Sequence, residues 1–211
     1  MKVCEIFSSI QGESSCSGMP CTFIRMAGCN LRCSYCDTKY AYDEGIELTE
    51  AEIINEVELI GVQFVAITGG EPLLQEETLH LIERLLNEGF KVLIETNGSM
   101  SIKDIDSRAV IILDIKTPGS GMMNEMDIYN LDYIKPTDEI KFVITDRADY
   151  EWSKDIMHKY KLKCGERILF SPAFGILEPE LLVRWILEDR LDVRLNLQIH
   201  KYIYGGEKRR V

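Results

Sequence analysis

The chain has 211 residues, enough for one substantial core and short for two, so a single domain over residues 1–211 is expected. It is 45% hydrophobic and 28% charged, the balance of a water-soluble globular protein, and no segment approaches the roughly 18 apolar residues of a membrane span. With 24 Lys and Arg against 35 Asp and Glu the net charge is −11, which disfavours a broad hold on nucleic acid, where affinity comes chiefly from neutralising phosphates.

The opening Met1-Lys2-Val3-Cys4-Glu5-Ile6-Phe7 acquires an acid too early for a secretory signal, so a cytoplasmic location is expected. Residues 2–7 alternate as a strand, and 8–15 read as a polar loop. A second extended segment covers 21–26. Thr49 and Glu52 form a capping box before the helical face of Ile53, Ile54, Val57 and Ile60. Strand 63–67 is followed by a glycine-rich loop and then a helix through Leu79, Ile82, Leu85 and Leu86, ending near Gly89. Strand 91–94 leads through a short helical crossover to strand 109–113. Residues 117–138 read as loop with a short helix, 140–144 as strand, 149–160 as helix and 167–170 as strand. Helix 179–188 and an extended piece at 193–197 follow. The terminal Lys208, Arg209 and Arg210 read as a solvated tail.

Alternating strands and helices imply parallel pairing with right-handed crossovers. A complete eight-unit barrel takes about 250 residues, so the expected fold is α/β, an incomplete, modified TIM-like barrel of about six strands with reduced helices. An open doubly wound sheet is the alternative. Either architecture collects chemistry at the polar strand ends.

The densest chemistry is Cys29-Asn30-Leu31-Arg32-Cys33-Ser34-Tyr35-Cys36-Asp37-Thr38, with cysteines spaced C-x3-C-x2-C. Three soft thiolates suit an iron–sulfur cluster with one iron left open, or a zinc site completed by a distant ligand such as Cys16 or Cys21. Buried inert thiols are the plain reading. Seven cysteines, an odd number, argue against a complete disulfide framework, and Cys4, Cys16, Cys21 and Cys164 have no tight motif. In Thr68-Gly69-Gly70-Glu71-Pro72 the glycines let backbone approach a ligand and Glu71 suits a cationic amine; an ordinary tight turn is the rival. Glu95 and Asn97 end the next strand, Asp114, Ile115 and Lys116 the one after, and Ser171 a later one. Each could serve a ligand, or a turn and an ion pair. Thr38 reads as a cap or solvated side chain unless its hydroxyl meets Mg²⁺, which prefers oxygen ligands.

The cysteine spacing resembles that of radical S-adenosylmethionine (SAM) enzymes, and the Gly-Gly-Glu-Pro string resembles their loop for the methionine amino group. The segments 7–14, 21–29, 36–38 and 196–201 further resemble the 7-carboxy-7-deazaguanine synthase family over nearly the whole chain. That resemblance implies a shortened barrel and a homodimer, with a [4Fe–4S] cluster on Cys29, Cys33 and Cys36. It implies SAM along Gly69, Gly70, Glu71, Glu95, Asn97, Asp114, Ile115, Lys116 and Ser171, and Mg²⁺ at Thr38. Ile10, Gln11, Gly12, Glu13, Arg25, Thr68 and His200 would meet 6-carboxy-5,6,7,8-tetrahydropterin. The implied reaction is a radical-mediated ring contraction with loss of ammonia, fed by a flavodoxin or ferredoxin and supplying 7-deazapurines such as queuosine or archaeosine. Where relatives carry Ser-Pro-Lys this chain has Asp114-Ile115-Lys116, which keeps Lys116 in register. A glycyl-radical activase and a zinc-stabilised binding module are the competing readings.

Overall fold

A computed structural model describes residues 1–162, 167–206 and 208–210. Cys164 therefore lies outside the described residues. The elements are β1 (Lys2–Ile10), β2 (Pro20–Met26), β3 (Ile46–Glu47), α1 (Glu50–Ile60), β4 (Phe64–Gly69), α2 (Glu77–Asn87), β5 (Lys91–Thr96), β6 (Val110–Ile115), β7 (Glu139–Ile144), α3 (Arg147–Lys159), β8 (Ile168–Pro172), α4 (Pro179–Glu188), β9 (Arg194–Leu195) and α5 (Ile199–Tyr204). They build one sheet in the order β3-β1-β2-β4-β5-β6-β7-β8-β9. The run from β2 to β9 is parallel, with six strands of five to seven residues before the two-residue β9, whereas β1 is antiparallel to both β2 and β3. The result is the incomplete barrel expected from the strand–helix alternation and the chain length, rather than an open doubly wound sheet.

Local chemistry explains why the helices begin and stop where they do. Thr49 and Glu52 close the predicted capping box, and Gly61 takes the left-handed conformation (φ 74°) that ends α1. Ile53, Val57, Leu81, Ile82 and Leu85 then pack on the outer face of the sheet, against Ile24, Val65, Ile67, Val92, Ile94, Ile111 and Leu113.

The inner face follows from the twofold alternation of strands and has a polarity gradient. Toward the strand starts, Cys21, Phe64, Ala66, Leu93 and Ile112 form a small apolar floor. One pleat farther along, β2 presents Arg25, β4 Thr68, β5 Glu95 and β6 Asp114, while β7 contributes Lys141 and β8 Ser171. The curved sheet thus fills its bottom with hydrocarbon and leaves its carboxyl ends polar.

Four sequence expectations are corrected. Ser8, Ser9 and Ile10 belong to β1 rather than to a loop, because they pair with Thr22, Cys21 and Pro20. Between β5 and β6 no helix forms among residues 97–109. The buried Asn130 side chain instead accepts from Ile102 N at 3.0 Å and donates to Gly98 O at 3.1 Å and Met100 O at 2.8 Å, satisfying backbone that a helix would have paired internally. The helix α5 follows β9 where only an extended piece is predicted. Arg209 and Arg210, exposed as expected of a tail, nevertheless fold back: Arg209 pairs with Glu44 at 2.8 Å and lies over the Tyr40 ring, and Arg210 Nε lies 3.3 Å from Glu5 Oε2.

Candidate active site at the strand ends

A cavity of about 610 Å³ opens at the carboxyl ends of the parallel strands. Cys29, Cys33 and Cys36, all free thiols, line one end of it on the loop that follows β2. Burial raises the pKa of Cys29 and Cys33 above the ordinary thiol value. Among the described residues, no three His, Cys, Asp or Glu side chains are already gathered as a metal site.

Gly69 and Gly70 border the same end. A Cβ on Gly70 would lie 1.8 Å from the Gly28 carbonyl oxygen, so the glycine lets the loop after β4 pass against the start of the cysteine loop. Gly69, at φ 135°, would place a Cβ 2.3 Å from Met26 O. Glu71 does not line the cavity. Its fully buried carboxylate accepts from Leu73 N at 3.0 Å, Thr96 Oγ1 at 2.8 Å and Asn97 N at 2.6 Å, tying the glycine loop to the end of β5. Asn97 faces the cavity and donates toward Cys29 Sγ at 3.7 Å. Ile115 points outward into the hydrophobic core, so only its backbone accompanies Asp114 and Lys116 along this wall.

Two lysines manage the carboxylates between the two ends of the cavity. Lys116 Nζ is 2.9 Å from Asp114 Oδ2; burial alone would lower its pKa, but Asp114 and the neighbouring Tyr35 and Cys33 hold it charged. Lys141 Nζ is 3.1 Å from Glu13 Oε2 and 3.6 Å from Asp114 Oδ2. Burial would raise the Glu13 pKa, but Lys141, the Gln198 amide and His200 outweigh it and hold the carboxyl below its usual range. Glu95 behaves oppositely: burial, with Glu13 and Asp114 nearby, raises its pKa against the pull of Lys141. Its Oε2 accepts from Thr68 Oγ1 at 3.3 Å. Among the described residues, Asp114 Oδ1 is buried without a partner, as is Gln11 Nε2. Such orphans are expensive unless a ligand completes them.

The other end is formed by the β1–β2 loop and the chain's C-terminal segment. Ile10, Gln11, Gly12, Glu13, Arg25 and His200 all line it, as does Thr68, while Ser171 lines the cavity from β8. A Cβ on Gly12 would meet His200 Nδ1 at 1.9 Å, so α5 can lie close only because residue 12 is glycine. Ile199 N donates to Gly12 O at 2.9 Å and Gln198 Nε2 to Glu13 Oε1 at 2.8 Å. Lys201 pairs with Asp37 and links α5 to the cysteine loop, and with Gln198 it outweighs burial and brings the Asp37 pKa down to about 2. Thr38 lines the cavity and donates to Asp37 Oδ1 at 3.2 Å.

The cavity therefore unites every predicted site residue except Glu71 and Ile115, which act behind its wall. It also contains Lys141, Gln198, Lys201, Tyr35 and Tyr40, which sequence reasoning missed. Lys141 had a signal: it is a charge inside the apolar run Ile140–Ile144, at the parity that faces inward.

Comparisons with known proteins agree with this construction. The Radical SAM superfamily model matches residues 23–163. A 7-carboxy-7-deazaguanine synthase from Koribacter versatilis is 44% identical over 226 residues, covering 100% of both chains. Its counterpart from Chlorobaculum tepidum is also 44% identical, over 100% of this chain and 97% of its own. The crystal structure of QueE from Escherichia coli superposes with a TM-score of 0.76 at 22% identity, covering 93% of this chain and 92% of that one, which shows the shared fold. The chain belongs to the 7-carboxy-7-deazaguanine synthase family of the radical SAM superfamily and is an enzyme of the lyase type.

Proposed function

We propose that this enzyme converts 6-carboxy-5,6,7,8-tetrahydropterin to 7-carboxy-7-deazaguanine with release of ammonia. The observation that carries the reading is one cavity with two chemically different ends: three thiols and a glycine loop at one, and Gln11, Glu13 and Arg25 at the other. The nearly full-length relatives carry the same activity in their names.

The residues present fit the family's cofactors. Three free soft thiols suit a [4Fe–4S] cluster with one iron left for SAM, and the orphaned Asp114 Oδ1 is an acceptor awaiting a donor such as a ribose hydroxyl. Cys29, Cys33 and Cys36 would hold the cluster, while Gly69, Gly70, Glu95, Asn97, Asp114, Lys116 and Ser171 would border SAM. Glu71 would keep the glycine loop in place from behind. When bound and reduced by a donor such as flavodoxin or ferredoxin, cluster and cofactor supply radical hydrogen abstraction from the pterin ring.

The protein's own work is placement. Glu13, held anionic by Lys141, accepts hydrogen bonds from the pterin's N–H edge, and the unpaired Gln11 amide donates to it. Arg25 clamps the substrate carboxylate, Thr68 contacts the ring from β4, and His200 with α5 closes the pocket and excludes water. Thr38 is the protein oxygen assigned to Mg²⁺, whose remaining ligands would come from substrate and water, since Asp37 is committed to Lys201. The acting assembly is a homodimer.

The test is anaerobic iron–sulfur reconstitution followed by product analysis. Carboxytetrahydropterin should yield the deazaguanine and ammonia, with SAM regenerated rather than consumed. Deoxyadenosine release driven by some other substrate, with no deazaguanine formed, overturns the assignment.

A further inference from the structure

The alternation of β1 breaks near its start. Val3 pairs with Met26 and Glu5 with Arg25, so two steps on β1 match one step on β2 and Cys4 is the extra residue of a β-bulge. Val3 and Glu5 share a parity, yet Val3 lies in the outer core with Ile24 and Met26, whereas Glu5 turns to the pocket side beside Arg25. The bulge re-aims Glu5. A regular strand would have sent that carboxylate toward the hydrophobic core.

Glu5 does not line the cavity; it sits behind Arg25. Its side chain is 4% exposed and that of Arg25 is 16% exposed. Oε1 accepts from Arg25 Nε at 2.8 Å and from Tyr40 Oη at 3.0 Å, and Oε2 accepts from Arg210 Nε at 3.3 Å. Among the described residues, neither terminal nitrogen of Arg25 has a protein hydrogen-bond partner. The guanidinium is further braced over the Phe7 ring, 5.9 Å from its centroid.

We infer that Glu5 is the positioning residue of Arg25, fixing the guanidinium through Nε so that its two-nitrogen end reads the carboxylate of the substrate. The inference rests on the substrate assignment made for Arg25 above. A guanidinium can grip a carboxylate along the Nε side or across its two terminal nitrogens. Glu5 occupies the first, leaving the second facing the cavity.

The test compares the affinity of cluster-loaded, SAM-bound enzyme for carboxytetrahydropterin and for its carboxamide analogue, by calorimetry. The wild type should prefer the carboxylate. Glu5→Leu should lose about tenfold or more of that preference, the scale of a charge-assisted contact, while Glu5→Gln, whose amide oxygen still accepts from Nε, should keep most of it. In an Arg25→Lys background, Glu5→Leu should change the preference no further. If Glu5→Leu does not fold, Glu5→Asp keeps the charge, withdraws the acceptor by one carbon and should show the same loss. A preferring wild type whose folded Glu5 variants keep the preference overturns the inference alone, as does an equal loss of affinity for both ligands. A wild type that does not distinguish the two ligands overturns the carboxylate reading and this inference with it.

Discussion

Lys141 Nζ lies 3.1 Å from Glu13 Oε2, joining the middle of a central strand to the loop after β1 across the floor of the pocket. This buried ammonium also faces Asp114 and Glu95, so removing it leaves three carboxylates without their shared cation.

Lys141→Met should therefore destabilise the protein by about 3 kcal/mol or more, as breaking a buried pair does. Glu13 has a lowered pKa, so its contribution is complete above the ordinary carboxyl value of 4.5 and is lost as pH falls through the native one. In Lys141→Met burial is left to dominate the Glu13 carboxyl, so that acid loss should disappear and the variant should instead recover stability relative to wild type as pH falls. Thermal melting across an acid pH series reads both effects; an unchanged acid limb contradicts the role given to Lys141.

Gly70→Ala should lower cluster loading more than it lowers stability. The added Cβ would lie 1.8 Å from the Gly28 carbonyl, a backbone atom that no rotamer change can move. The start of the cysteine loop must shift, and iron content per chain after reconstitution should fall at least about twofold, while thermal unfolding should show a stability loss typical of overpacking, about 1–3 kcal/mol.

Lys201→Met should free α5 from the cysteine loop. The Asp37 carboxyl, drawn from 3.8 to about 2 chiefly by Lys201 against burial, helps hold the native state above its unfolded value and loses that effect as pH falls toward 2. Without Lys201 that dependence should vanish, and proteolysis near residues 199–204 should speed up at neutral pH. Equal cleavage rates in variant and wild type refute the link.

Arg25→Lys keeps the charge but removes the planar fork. KM for the carboxytetrahydropterin should rise about tenfold to a hundredfold with a smaller change in kcat, the pattern of lost ground-state binding. Steady-state kinetics on cluster-loaded enzyme decide it.

Much of the fold was legible because its signals are local. The Thr49–Glu52 box, the apolar strand runs and the helix at 179–188 follow from neighbours along the chain, and the structure reproduces them. The cysteines and the two glycines of the Gly-Gly-Glu-Pro string likewise meet in one cavity, as their strings suggest. What escaped depends on partners distant in sequence. A bulge at Cys4 is visible only against β2, and the missing helix before β6 only against Asn130. The burial of Glu71 and the outward turn of Ile115 show that a motif's residues can act from behind the surface they shape. The docking of Arg209 and Arg210 needs Glu44 and Glu5, more than 160 residues away.

The hydrogen-bonded ladders of the sheet run unbroken from β3 to β9, but no ladder joins β9 back to the front of the chain among the described residues. There the circle is closed by Ser14 N to Asn196 Oδ1 at 2.7 Å, by Ile199 N to Gly12 O and by Gln198 to Glu13. Main-chain ladders open together, whereas a few individual contacts can separate singly. The barrel consequently has a seam, and it runs beside Glu13 and His200 rather than beside the cysteines. Opening that seam would widen the pocket at its Glu13 end while the parallel strands stay registered to one another.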